Sequence, residues 1–216
     1  MAVSVKNRIP RAFSSTKKEG SVMSKKKTAL LESLVYEVID GNPVYYRGYE
    51  QVIAGKIPKE AIMGSSILQS LFISKLLAKL FQFFPENKYM IGTNELGILY
   101  EKGSWVSTDI AIIRNAMLEG YKIDNHYFNL PPALVIEVDT KASFDNFDGE
   151  ETYYQIKTKR YLDFGVEKVI WIYTQSKMVM IAEKGKDWIL GDWERTITLV
   201  DDQSLDLGAI IKSINL

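Results

Sequence analysis

Ala133-Leu-Val-Ile-Glu-Val-Asp139 reads as a buried strand with two carboxylates set into it. Short Val/Ile/Leu runs of this kind suit a strand covered on both faces. An ionised carboxylate there is costly to desolvate unless it is paired or binds a cation. Residues two apart in a strand share a face. Glu137, Asp139 and Lys141 are therefore expected on one side, with Ile136 and Val138 on the other. Upstream, Asp109-Ile-Ala-Ile-Ile113 is a second apolar run that opens on an acid, and downstream Val169-Ile-Trp-Ile-Tyr173 is a third. Lys157 and Lys159 fall between the second and third of these runs.

If the strands carrying Asp109 and Glu137 are neighbours, the two carboxylates can converge within metal-bridging distance. A hard Mg²⁺ ion is typically held by one or two carboxylates together with water and substrate phosphate. Bound there, it acidifies a water and stabilises a leaving oxygen, while a nearby lysine orients that water and offsets phosphate charge. Two acidic strands and a lysine thus suit a magnesium-dependent phosphodiester hydrolase. The competing reading makes Glu137 and Asp139 plain ion-pair partners of Lys141, Lys157 or Arg160. The residues alone leave both open.

The chain has 216 residues, 46% of them hydrophobic and 25% charged, which suits one domain with a full core. It has no cysteine, which excludes disulfides and thiolate zinc sites. The one histidine, His126, lies in a polar loop and reads as a surface residue, and no G-x-S-x-G elbow is present. No apolar run approaches the ~18–20 residues of a membrane span, so a cytoplasmic protein is expected. The zero net charge conceals an asymmetry. Residues 1–27 hold eight Lys/Arg against the single acid Glu19, a net +7, and residues 28–216 hold 19 bases against 26 acids, a net −7. The basic head is read as a disordered leader or an arm that grips nucleic acid. Met23 is a second plausible start of translation.

Residues 34–41 and 44–46 suggest a hairpin around Asp40-Gly41-Asn42-Pro43. Residues 65–84 are the clearest helix, capped by Ser66 and ended by Pro85. Residues 88–100 suggest two short strands about Thr93-Asn94-Glu95. A helix over 152–164 ends at Gly165, a hairpin turns at Lys184-Gly185, and a short helix closes the chain at 205–214. Helices interleaved with strands in this order make an α/β or α+β sandwich. Trp105, Trp171, Trp188 and Trp193 are expected to fill the core or its edges.

Five segments in order, Tyr36-Glu-Val-Ile-Asp-Gly41, Ser107-Thr-Asp-Ile-Ala-Ile112, Pro132-Ala-Leu-Val-Ile-Glu-Val138, Lys157-Thr-Lys-Arg-Tyr161 and Phe164-Gly-Val-Glu-Lys-Val-Ile-Trp171, resemble the Uma family of putative restriction endonucleases. That family belongs to the PD-(D/E)XK, restriction-endonuclease-like superfamily, and the resemblance spans roughly residues 34–212. It implies that Asp109 and Glu137 are the two metal-binding acids and that Lys157 is the catalytic lysine. The sequence departs from the pattern at three places. Thr108 stands where proline is frequent, Asp139 stands where the superfamily has its lysine, and Ser65-Ser66 stand where many members carry histidine. Lys141 would lie about 13 Å along an extended strand from Glu137, too far to share a water, so Lys157 is preferred and Lys159 is the reserve.

The expected fold is therefore a restriction-endonuclease-like α/β sandwich over residues 28–216, a mixed sheet flanked by helices, behind a leader of 27 residues. The expected activity is metal-dependent cleavage of DNA, with Asp109, Glu137 and Asp139 as ligands of Mg²⁺ or Mn²⁺. Asp139 serves either as third ligand or as a prop for Lys157. Gln69, Asn94 and Glu95 are minor candidates for completing the site. The alternatives are a nuclease-like domain that binds nucleic acid or a protein without cutting, and a homodimer built on the apolar helix.

Overall fold

A computed structural model describes residues 18–214, with side chains from residue 25 onward. Helix α1 (Lys18–Glu32) runs through the boundary expected between residues 27 and 28, and the first 17 residues of the leader lie outside the described ones. Strands β1 (Val35–Ile39) and β2 (Asn42–Tyr45) form the expected hairpin, with Asp40 and Gly41 in the left-handed region at its turn. Two short helices, α2 (Tyr49–Ile53) and α3 (Glu60–Met63), lead to α4 (Ile67–Phe83). The side chain of Ser66 accepts from the Gln69 N–H and starts α4 as expected.

Strand β3 (Tyr89–Glu101) is one long strand rather than two short ones. The interruption seen in the sequence is a bulge. Thr93 pairs with Ile110 and Leu96 with Thr108, so Asn94 and Glu95 together oppose Asp109. Both bulge residues have positive φ, 64° and 57°. Strand β4 (Ser104–Arg114) begins five residues before Asp109, so this acid is not the first residue of its strand as expected. The apolar run understates the strand because residues 104–108 alternate buried and half-buried positions.

Beyond a short 3₁₀ turn come β5 (Leu134–Val138), α5 (Glu150–Phe164), β6 (Lys168–Tyr173), β7 (Met178–Glu183) and β8 (Ile189–Asp192). A small pair, β9 (Thr196–Thr198) and β10 (Ser204–Asp206), precedes α6 (Leu207–Ser213). The main sheet runs β2-β1-β4-β5-β6-β7-β8, with β3 on β4. Among the described strands only β5 and β6 pair in parallel, and α5 provides their crossover, so the sheet is mixed. On one face Phe72, Leu76 and Leu80 of α4 and Ile210 and Ile211 of α6 cover Ile110, Ile136 and Ile170. On the other, Tyr153, Tyr154 and Tyr161 of α5 cover Val135, Val169 and Trp171. The result is the α/β sandwich expected. Trp171 and Trp193 are core residues, whereas Trp188 is exposed.

Candidate active site

Strand β4 meets two partners in succession. It pairs with β1 at Trp105 and with β5 from Ile110 to Ile112, and carboxylates reach the backbone of the stretch between. The Ser107 N–H donates to Glu37 Oε1 (3.3 Å) and the Asp109 N–H to Glu137 Oε2 (3.4 Å). The Ser107 carbonyl accepts from Lys157 Nζ (2.8 Å). Backbone polar groups inside a fold need partners, and here side-chain charges supply what a continuous ladder would. The pairing of Ile110 with Ile136 places Asp109 and Glu137 opposite each other one step further along. Asp109 answers the bond it gives: its Oδ2 accepts from the Val138 N–H at 2.8 Å. The two expected acids are thus locked face to face where β4 and β5 part.

Behind them lies a buried charge cluster. Lys157 Nζ sits 2.5 Å from Glu37 Oε1 and 3.1 Å from Glu137 Oε1, and its side chain is wholly buried. The Tyr161 hydroxyl donates to Glu137 Oε1 (2.6 Å) and the Tyr153 hydroxyl to Glu37 Oε2 (3.1 Å). The aromatic rings of Tyr36, Tyr153, Tyr161 and Trp171 surround the ammonium at 5.5–6.0 Å. Burial pushes Glu37 up to about 7 against the opposing pull of Lys157. Burial also opposes the charge on Lys157, but Glu137 and Glu37 outweigh it and hold the ammonium protonated well above its ordinary range. Asp109 is pushed up to about 7 by burial and by the adjacent Glu137, with the Val138 N–H, Lys157 and Lys141 pulling it down. Three carboxylates thus face one cation in this cluster.

Lys157 reaches Glu137 as expected, but from inside the core. Enclosed there, it does not face a water or phosphate arriving from solvent. Asp139 departs further from expectation. β5 ends at Val138, and Asp139 takes a left-handed φ of 56°, so the alternation that would align it with Glu137 stops. Its carboxylate accepts instead from the Thr174 N–H (2.8 Å) and hydroxyl (2.6 Å). It neither supports Lys157 nor shares the partners of Glu137. Lys159 pairs with Asp163 on the exposed side of α5, and His126 is exposed beside Asp124.

A cleft of about 350 Å³ opens at Asp109, lined also by Ser65, Ser70, Asn94, Glu95 and Lys141. Lys141 therefore shares the cleft with Asp109 although it lies four positions past Glu137, because the chain turns after Val138. Gln69 is buried on α4, and its amide donates to the Val138 carbonyl (2.7 Å), fixing the backbone next to Glu137. Glu37 is the participant that sequence reasoning missed. It stands in Leu34-Val-Tyr-Glu-Val-Ile39, an apolar strand interrupted by an acid just as Glu137 interrupts its own.

Among the described residues no group of three or more His, Cys, Asp or Glu is arranged to hold a metal ion. Asp109 and Glu137 nevertheless supply two hard oxygen donors in a cluster with surplus negative charge. That donor set fits a divalent hard cation completed by water and substrate.

A mixed sheet between helices, with paired acids where two central strands separate, defines a restriction-endonuclease-like nuclease fold. The chain belongs to the Uma2 family, described as putative restriction endonuclease, whose model matches residues 51–216. That span includes Asp109, Glu137 and Lys157 but not Glu37. Among solved structures, a putative nuclease belonging to DUF820 from Anabaena variabilis shares the fold, with a TM-score of 0.61 and 14% identity. The match covers 82% of this chain and 89% of that one. No curated protein matches the sequence.

Proposed function

We propose that the chain is a metal-dependent endonuclease that hydrolyses DNA phosphodiester bonds, with Asp109 and Glu137 as ligands of Mg²⁺ or Mn²⁺. The observation that carries this reading is the reciprocal lock between Asp109, which lines the cleft, and Glu137, buried directly behind it. The bound cation would supply an acidified water and charge stabilisation at the phosphate. Asp109 presents its carboxylate to the cleft, and the Val138 N–H fixes its direction. Glu137 Oε1 is held by Tyr161 and Lys157, and its Oε2 accepts the long bond from the Asp109 N–H. Lys157 holds Glu137 in place through their buried ion pair, which makes it a positioning residue rather than one that touches substrate. Gln69 holds the Val138 backbone from the opposite layer.

One test is cleavage of supercoiled plasmid with Mg²⁺ or Mn²⁺ by wild type, Asp109→Asn and Glu137→Gln. Nicking that both substitutions abolish supports the reading, and equal nicking by all three overturns it.

A second reading has its own observation. The helix lysine is sealed in the core, and Asp139 occupies the place of the superfamily's lysine. A nuclease-like domain that binds nucleic acid without cutting would look like this. Duplex binding by wild type without cleavage under any divalent ion would establish it.

A further inference from the structure

Glu95 and Lys141 form an ion pair on the rim of the same cleft that Asp109 lines. Each half of the pair is set by an unusual piece of backbone. Glu95 is the second residue of the β3 bulge that stands opposite Asp109, and both bulge residues occupy the left-handed region. Non-glycine residues there carry backbone strain, and such strain concentrates at working sites. Lys141 lies on a short segment fastened to the end of the first hairpin. Its carbonyl accepts from the Arg47 N–H (2.6 Å), and the Ser143 N–H donates to the Tyr45 carbonyl (2.7 Å). The backbone at Lys141 and two residues beyond it is thereby pinned, and the lysine side chain is held by Glu95.

The exposures of the two partners differ. The Lys141 side chain is 13% exposed and that of Glu95 is 38% exposed, so the acid is the partner nearer to solvent. Lys157 is shut in the core, which leaves Lys141 as the cation lining the cleft beside Asp109. A phosphate entering the cleft meets a lysine already desolvated on most sides and neutralised by one displaceable carboxylate.

We propose that Lys141 is the phosphate-contacting cation of this cleft and that Glu95 is its resting counter-ion, displaced when a nucleic-acid phosphate takes its place. The inference rests on the reading of the cleft as a nuclease site. It assigns to Lys141 the substrate contact that Lys157 cannot make from the core.

The test is duplex binding measured by fluorescence anisotropy as a function of salt. The probe is a fluorescein-labelled 20-base-pair DNA with Ca²⁺ in place of Mg²⁺, its integrity checked on a gel. Removing one phosphate contact lowers the slope of log affinity against log salt by about 1. Lys141→Gln is expected to show that loss, and Lys141→Arg is expected to retain the wild-type slope. Glu95→Gln is expected to tighten binding about two- to fivefold, the scale of one partly exposed ion pair. That gain should shrink in the Glu95→Gln/Lys141→Gln double variant, because it acts through the lysine. Wild-type binding with an unchanged slope in Lys141→Gln would overturn the proposal and leave the nuclease reading standing. If wild type neither binds nor cleaves duplex, the nuclease reading falls and takes this proposal with it.

Discussion

Asp109 carries a proton more readily than an ordinary aspartate because burial and Glu137 both oppose its charge. A carboxyl raised in the folded state to about 7 lends stability that is complete below its unfolded value near 4 and is lost as pH rises through 7. Above that, the charged group strains the fold unless a cation joins it. Asp109→Asn removes the charge while keeping an acceptor for the Val138 N–H. Without divalent ions, the variant is expected to exceed wild type at pH 8 by about 1–2 kcal/mol, less than the full perturbation because solvent reaches the cleft. The gap should close towards pH 5, and Mg²⁺ should close it at pH 8 by binding wild type alone. Urea melts at the two pH values measure this, and a gap independent of both pH and Mg²⁺ refutes it. The juxtaposition of Asp109 and Glu137 was legible in the sequence because one opens an apolar run and the other interrupts one. Glu37 interrupts an apolar strand as Glu137 does, but its meaning depends on the first half of β1 lying beside residue 107, which no local pattern states. Asp139 misled for the same reason: strand alternation was extended one residue past the real end of β5.

At the scale of elements, α5 brings a lysine into the core between two strands that each offer an acid. Removing one partner of a buried ion network leaves uncompensated charge and costs about 3–5 kcal/mol. Lys157→Met is expected to lose that much stability, measured by urea denaturation, and Glu37→Gln added to it is expected to recover part of the loss. A double variant no more stable than the single would show that Glu37 is not the stranded charge. The β3 bulge permits a milder comparison. Asn94→Val should cost about 1–2 kcal/mol, because a branched side chain is disfavoured at φ 64°, whereas Asn94→Gly should be near neutral. Equal thermal shifts for both would remove backbone strain from the explanation. Helices α4 and α5 were readable from apolar spacing and end signals, Ser66 and Gly165 included, whereas α1 fell on the segment read as a leader. The bulge registered only as a break between two strands, because sequence periodicity records an interruption and not its register against β4.

For the whole molecule the unresolved tension is charge, since an acidic body is a poor surface for a polyanion. Three exposed lysines, Lys25, Lys26 and Lys27, extend the basic head into α1 beside the folded domain. A chain beginning at Met23 keeps these three. It loses Lys6, Arg8, Arg11, Lys17 and Lys18 together with Glu19, a net change of −4. The described core begins at Leu34, so the shorter chain is expected to melt within about 2 °C of the full one. If the head grips nucleic acid, the shorter chain should bind duplex more weakly and with a shallower salt slope, each lost phosphate contact removing about 0.9. Its cleavage rate at saturating duplex should be unchanged, because Asp109 and Glu137 are untouched. Identical affinity and salt slope in the two chains would make the head a bystander. Duplex would then have to be held by the cleft itself, where Lys141 stands beside Glu95 and Asp109.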